Sequence, residues 1–498
     1  MEDAVGPMVV LAQGRLLGSD NDGILSFKGI PYAAAPFGVN RFAAPSAAPS
    51  WDGVRDAVEY GPTAAKPRYP SPIDRLLADP VIAGEECLNL NVWTPAVDAE
   101  RRPVLVWIHG GAFVNGSGAV SVYDGSTFAR DGVVCVTVNY RLGVDGFLVI
   151  NGAPANRGLL DLVAALRWVQ ENIAAFGGDP DGVTIAGQSA GAMSVTTLLS
   201  MPAAAGLFRR VIAQSGAGHH VLPEATAAKV TTALADRLGV QPTVEGFAAV
   251  PVLELVAAQA ALSASIAAAP NPAVWGEIGR NMIAFGPVID GAIVRARPID
   301  RLAQGVGIDI EVLIGSNDDE HALFLVPSGV IDFVTDEVLA RVLTGVGADA
   351  GGIAASYRLA EPAASPGEIL MAALGDWYFR VPAIRVAEAR LIHDADTFVY
   401  EFGWRSPRFG GRLGACHALE LGFVFDNLDD ASGEPLAGSA PPQQLADEIH
   451  GAWVAFVKSG HPGWAPYGRL RTVRRFAVPS ETAIDPHPTR RTAWDGVR

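Results

Sequence analysis

The sequence predicts an α/β fold, a mostly parallel central sheet with helices on both faces, and three observations predict it. Strand-like and helix-like segments alternate along the chain, as the units of a parallel sheet do. The strand-like segments are near-continuous apolar runs, such as PVLVWIH (103–109) and VVCVTVNY (133–140), which suits strands covered on both sides. The 498 residues are 49% hydrophobic and only 18% charged, enough apolar material for one large core. No linker of distinct composition cuts the chain. It reads as a single domain with insertions: N-terminal strands at 1–100, a catalytic core at 101–220, a helical insertion at about 222–285, and a C-terminal part at 286–498.

Taken in order, MVVLAQGRLLG (8–18) and ILSFKGIPYA (24–33) read as short strands with turns. Residues 61–84 hold several prolines and read as an exposed loop. NLNVWTP (89–95), PVLVWIH and VVCVTVNY are strands. Leu159, Leu162, Val163, Leu166, Val169 and Ile173 recur at three- and four-residue steps, so 158–175 is a helix, ended by Gly177 and Gly178. VTIAG (183–187) is a strand, and AGAMSVTTLLS (190–200) the helix after it. The Ala-rich stretch 222–270 is helical. RVIAQ (210–214), IEVLIGS (310–316) and TFVYEFG (397–403) are further strands, and LADEIHGAWVAFVKSG (445–460) is a last helix.

Charge and cysteine content bound the function. Fifty-three Asp and Glu against 37 Lys and Arg give a net charge of −16, which argues against nucleic acid or an anionic membrane as partner. No apolar run reaches the ~18 residues of a membrane span. The start MEDAVGPMVVLAQG has neither the basic opening nor the apolar core of a signal peptide. Cys87, Cys135 and Cys416 form no Cys-x-x-Cys pair, so neither a disulfide scaffold nor a zinc site is expected. Cytoplasmic residence is the expectation.

The segment that carries chemistry is GQSAG (187–191). A strand precedes it and a helix follows, the context of a nucleophile elbow. There Ser189 sits on a sharp turn where side chains at 187 and 191 would collide. The N–H of Ala190, at the helix start, faces a developing oxyanion. Upstream, HGGAF (109–113) follows the strand PVLVWIH; Gly111 and Ala112 are candidate oxyanion donors, Gly110 allows the turn, and His109 orients it. Ser189 needs a base and the base a carboxylate, in the chain order Ser, acid, His. IGSNDDEH (314–321) offers Asp318, Asp319 and Glu320, with Asp290 as a further candidate. Among His321, His393, His417, His450, His461 and His487, His417 sits in a Gly-flanked loop, GACHALE, after a strand; the others read as surface or capping groups. Spacing leaves the acid open among the three carboxylates at 318–320.

The chain resembles the type-B carboxylesterase/cholinesterase family nearly end to end. The matching motifs are FKGIPYA (27–33), EECLNLNVWTP (85–95), HGGAF, NYRLG (139–143), GLLDLVAALRWVQENIAAFGGDP (158–180), GQSAGAMS (187–194), QSG (214–216), GSNDDE (315–320) and GACHALELGFVFDN (414–427). The resemblance is strongest to the bacterial branch, with its p-nitrobenzyl esterases and aryl-carbamate hydrolases of the phenmedipham-hydrolase kind. It implies an α/β-hydrolase fold, Ser189 as nucleophile, Glu320 as acid, His417 as base, and Gly111, Ala112 and Ala190 as oxyanion donors. Phe324 aligns with an acyl-pocket aromatic, and Phe113 is a second candidate substrate contact. Arg41 with Glu86, and Arg141 with Asp161, match structural ion pairs. Gln188 stands where many relatives have Glu, which weakens any case for cationic substrates. His321 and Ala112 each replace a common Gly. Cys87 matches a half-cystine of secreted relatives, but no Cys precedes it to be its partner.

The expected activity is therefore a serine carboxylesterase on small-to-medium, uncharged, possibly aromatic esters, with no metal or organic cofactor. An aryl carbamate or amide hydrolase with the same triad is the alternative. A non-catalytic binding protein of the neuroligin kind is remote, because Ser, Glu and His are all kept. Pocket shape is expected to depend on the segments 61–84, 263–285 and 323–335.

Overall fold

The computed structural model describes residues 6–347 and 349–498. The acidic start at 1–5, part of the localisation argument, lies outside the described residues. An 11-stranded sheet forms the frame. Its strands in chain order are β1 (Ser19–Asn21), β2 (Ile24–Pro31), β3 (Asn89–Thr94), β4 (Arg102–Ile108), β5 (Val134–Val138), β6 (Gly178–Gln188), β7 (Arg210–Gln214), β8 (Glu311–Asn317), β9 (Thr397–Phe402), β10 (Thr472–Phe476) and β11 (Glu481–Ile484). Their spatial order is β11-β10-β9-β8-β7-β6-β4-β5-β3-β2-β1. Strands β4 to β10 are mutually parallel, whereas β1–β3 and β11 join antiparallel at the two edges.

Both faces are covered, which is why the strand sequences are apolar at consecutive positions. On β4, Val104, Val106 and Ile108 join one buried cluster, and Leu105 and Trp107 the other. The first cluster takes the apolar stripe of the helix Arg157–Asn172, together with the helices Ala190–Ser200 and Glu224–Leu238. The second takes Phe128 of the short helix Ser126–Arg130 and Trp453, Phe456 and Val457 of the helix Gln443–Ser459. The 158–175 expectation ends as a 3₁₀ turn, Ile173–Phe176, capped by Gly177 at φ 76°.

Three expectations are corrected. Residues 61–84 are irregular but not simply exposed: Thr63, Ala64 and Leu76 are buried, and a short 3₁₀ turn spans Ile73–Arg75. The apolar side chains among the prolines give the loop something to bury. Arg41 does not pair with Glu86. It reaches Asp145 at 3.2 Å and the Val250 carbonyl at 3.0 Å, and Glu86 pairs instead with Arg55. The histidines away from the site are not all surface groups, since His321 and His450 are buried. By contrast, Arg141 and Asp161 meet at 2.6 Å in the interior. Residues 336–391, for which the sequence pattern gives no expectation, form the helices Asp336–Gly345, Ala350–Ala360, Pro366–Gly375 and Val381–Leu391, with a π-helical turn at Asp376–Arg380.

Candidate active site

The register brings the C-terminal ends of the central strands level. Ile108 pairs with Gly187, Gln188 with Gln214, and Gln214 with Gly315. Loops leaving this edge converge, as ligand sites in open parallel sheets do. The sequence leaves β6 at Gln188 and enters a helix at Ala190, so one residue must make the whole turn. Ser189 does so at φ 58°, ψ −124°, a conformation that L-residues hold only under constraint. Close approach of the backbones makes room for nothing else: a Cβ on Gly187 would lie 2.6 Å from the Gly191 carbonyl carbon, and one on Gly191 2.0 Å from the Ile108 oxygen. The Ser189 N–H donates to the Gln214 carbonyl at 2.9 Å, and its carbonyl accepts from Met193 N–H at 2.9 Å, pinning both sides of the turn.

After β4, the 110–113 turn runs beside the elbow. Ala112 and Phe113 hold positive φ, 53° and 63°. His109 is buried and donates through Nδ1 to the Gly110 carbonyl at 2.8 Å, with its ring stacked on Tyr140 at 4.6 Å. Burial lowers this imidazole to about 3, so it is a neutral, structural ring. Among the described residues, neither Gly111 N–H nor Ala112 N–H is given to a protein acceptor. Both residues line a cavity of about 330 Å³ that Ser189 and His417 also line. Ala190, the first residue of the following helix, is buried behind Ser189, where helix geometry leaves its N–H without an intrahelical partner.

Geometry separates the three carboxylates at 318–320. Glu320 is 1% exposed, and its Oε2 lies 2.6 Å from His417 Nδ1. Its other oxygen accepts from Asn317 N–H at 2.9 Å, so the carboxylate is oriented from both ends. The His417 N–H donates to the Glu320 carbonyl at 3.2 Å, which ties the two loops together through the backbone as well. Asp318 turns away to Arg475 at 3.0 Å, and Asp319 to Arg405 at 2.7 Å and Ala415 N–H at 2.9 Å. Asp290 is elsewhere, accepting from the N–H groups of residues 292–294. Asp318, Glu401 and His487 form a cluster with metal-ligand reach, but Arg475 lies 3.3 Å from Glu401 as well, so a fixed cation already serves these carboxylates.

The ring's other nitrogen has an unforeseen neighbour. The Gln188 amide nitrogen is 3.1 Å from His417 Nε2, and among the described residues no hydrogen bond involves Ser189 Oγ. Three supports of the site escape sequence reasoning. Glu420, fully buried, accepts from Asn317 Nδ2 at 2.7 Å and Gln214 Nε2 at 3.1 Å, and burial together with the adjacent Glu320 pushes its carboxyl up. The π-helical turn presents Phe379 to the His417 ring at 4.7 Å. The third is the buried ion pair of Lys66 and Asp79. The GACHALELG match could have pointed to Glu420, three residues beyond the histidine. A π-turn has no periodicity of its own to read.

Phe324 is 42% exposed, lines the cavity and lies 5.6 Å from the His417 ring. Phe113 is corrected: it is fully buried against Phe147 at 5.0 Å, because its positive φ turns the side chain into the core. The cavity walls are Ile73 and Leu77 from the 61–84 segment, Val120 and Val122, and Leu419, Phe423 and Leu436 from 418–437. The segment 263–285 contributes none of the lining, contrary to expectation: Ile266, Ile278, Ile283, Ala284 and Phe285 pack into the core, and most of the rest faces solvent.

A model of the carboxylesterase family matches residues 5–473. The chain is 38% identical over 466 residues to phenmedipham hydrolase of Pseudarthrobacter oxydans, covering 92% of this chain and 90% of that one. It is 36% identical over 503 residues to para-nitrobenzyl esterase of Bacillus subtilis, covering 97% and 96%. Among solved structures, a carboxylesterase of Geobacillus stearothermophilus superposes with a TM-score of 0.85 at 38% identity, covering 98% of this chain and 99% of the other. An elbow serine, an α/β sheet of this order and a match across nearly the whole chain lead to one conclusion: this chain belongs to the carboxylesterase family and is a serine ester hydrolase with the α/β-hydrolase fold.

Proposed function

We propose that Ser189, His417 and Glu320 are the catalytic triad of this esterase, and that it acts on small-to-medium, uncharged esters. The observation that carries the assignment is the 2.6 Å contact between His417 and the buried Glu320, in a loop whose ring shares a cavity with Ser189. In the reaction His417 Nε2 takes the Ser189 proton as Oγ attacks the substrate carbonyl. For this the Gln188 amide gives up its contact with the ring. Active-site hydrogen bonds are commonly loose before substrate arrives and tighten in the complex. Glu320 holds the proton on Nδ1 and stabilises the imidazolium. The N–H groups of Gly111, Ala112 and Ala190 receive the oxyanion. The alcohol departs with the proton from His417, and water, activated by the same ring, releases the acid.

The lining favours an uncharged substrate. Its walls are mostly aliphatic and aromatic, and Gln188 supplies an amide where a carboxylate would attract a cation. Aryl carbamates are the second reading, supported by the similarity to phenmedipham hydrolase, and they would use the same residues. Three buried, unpaired cysteines fit a reducing compartment such as the cytoplasm, and no helix among the described residues is long and apolar enough to cross a membrane.

The test is a panel varying acyl and alcohol size independently, run beside Ser189→Ala, with p-nitrophenyl butyrate compared against an aryl carbamate. Loss of turnover in Ser189→Ala with an unchanged circular dichroism spectrum is expected. Persisting hydrolysis in that variant would remove Ser189 as nucleophile.

A further inference from the structure

We infer that Lys66 and Asp79 are positioning residues for the oxyanion donors, a latch inside the 61–84 segment that aims the Ala112 N–H at the reacting carbonyl. The inference rests on the triad reading above. The two side chains form an ion pair closed off from solvent, Lys66 0% and Asp79 9% exposed. Such a pair is costly to bury unless its remaining donors and acceptors are met. Here both partners spend them on residues 115 and 116. Lys66 Nζ donates to the Gly116 carbonyl at 2.9 Å, and Asp79 accepts from Gly116 N–H at 3.2 Å and from Asn115 Nδ2 at 2.9 Å. Asn115 Nδ2 also reaches the Pro67 carbonyl at 2.6 Å.

The grip passes on through the backbone. Asn115 N–H and Val114 N–H both donate to the Gly111 carbonyl, at 2.8 and 3.0 Å. That carbonyl and the Ala112 N–H are opposite sides of one planar peptide. Holding the oxygen toward 114–115 therefore turns the N–H the other way, into the cavity. The preceding peptide is fixed likewise, by His109 on the Gly110 carbonyl, which aims the Gly111 N–H. The turn needs external support, since positive φ at the non-glycine residues Ala112 and Phe113 costs of order ~1–2 kcal/mol each. His109 supplies that support from β4, and the Lys66–Asp79 pair supplies it from the loop.

The same loop also walls the cavity through Tyr69, Ile73 and Leu77. The segment is not closed covalently, because Cys87 near its base is a free thiol. The ion pair, together with the Asn115–Pro67 bond, couples the cavity wall to the donors. A substrate seated against the loop presses on the element that orients the oxyanion site.

The experiment compares the native chain with the double variant Lys66→Met/Asp79→Leu, which removes both charges together, and with Asn115→Ala, which keeps the pair and its two bonds to the Gly116 backbone and removes only the side-chain link through Asn115. Turnover of p-nitrophenyl butyrate is measured per active site, titrated with a phosphonylating inhibitor. A misplacement near 1 Å costs about 10²-fold, so kcat is expected to fall roughly 10- to 100-fold in the double variant and less in Asn115→Ala, with KM within about twofold. Affinity for an aryl trifluoromethyl ketone, which forms the tetrahedral adduct, should fall in parallel. An unchanged kcat, a loss confined to KM, or a loss accounted for by fewer titratable sites would each overturn the proposal. Ser189→Ala in the same series separates the two claims: turnover surviving there defeats the triad reading, whereas an unchanged kcat in the double variant defeats only the latch.

Discussion

The side-chain amide of Gln188 lies 3.1 Å from His417 Nε2, so the residue before Ser189 occupies the ring nitrogen opposite the one that meets Glu320. Gln188 is buried and neutral, and it meets the ring opposite Glu320. The imidazole is thus held between one carboxylate and one amide.

Replacing this amide by a carboxylate places a second negative charge beside Ser189. Gln188→Glu should slow neutral esters and improve a choline ester relative to its uncharged isostere. Measurement of kcat/KM on both substrates checks this; an unchanged ratio would mean that the side chain at 188 does not act on the substrate's charge.

The acid assignment separates two neighbours. Glu320→Gln should lower kcat by about 10³-fold or more, by analogy with the loss of a triad carboxylate. Asp319→Asn removes only the contacts to Arg405 and Ala415 and should cost less than tenfold. Steady-state kinetics of the two variants decide, and the reverse ranking would reassign the acid.

Arg141 and Asp161 form a sealed pair in which Asp161 accepts from Arg141 N–H, Nε and Nη2 at 3.0, 2.8 and 2.6 Å. Removing one partner strands a buried charge, so Asp161→Asn should cost about 3–5 kcal/mol. Arg41→Met breaks the more open contact to Asp145 and should cost less. Urea unfolding followed by tryptophan fluorescence ranks the two.

Acid sensitivity has an identifiable source in Asp376. Burial pushes its carboxyl up, but Arg380 at 2.6 Å and Arg490 at 2.8 Å outweigh that and hold it well below the ordinary 3.8. Its contribution is therefore present above pH 3.8 and is lost as pH falls toward the depressed folded-state value. Asp376→Asn should lower the melting temperature at pH 7 and flatten its decline below pH 3.8, as scanning calorimetry would record.

Much of this was legible in the sequence. Alternating apolar runs marked β3 to β9, and the short gap between VTIAG and the following helix marked Ser189 as a turn residue. The three adjacent acids were not separable by spacing, because their directions depend on where β8 ends and on which loops face each one. Glu320 was distinguished only by likeness to relatives. The last two strands, β10 and the edge strand β11, went unread because TVRRF places two ion-paired arginines mid-strand and ETAI buries no residue, so neither shows an apolar run. The helices Asp336–Gly345 and Ala350–Ala360 each bury one stripe in a third cluster around Trp377 and Trp494, a pattern present in the sequence but not read there, whereas Val381–Leu391 is buried on more than one face, which blurs a helical stripe. Phe113 failed for a backbone reason: a positive φ reverses a side chain without changing its neighbours in sequence.

The three thiols carry a practical consequence. Cys87, Cys135 and Cys416 are 2%, 0% and 0% exposed, and burial pushes each thiol up, that of Cys87 to about 12. Maleimide should label the native protein with less than one-tenth of an equivalent and the urea-denatured chain with three. A single cysteine introduced on the surface would then be the sole conjugation handle, so the enzyme could be tethered to a bead or given a fluorophore in defined orientation without first stripping its native sulfur chemistry.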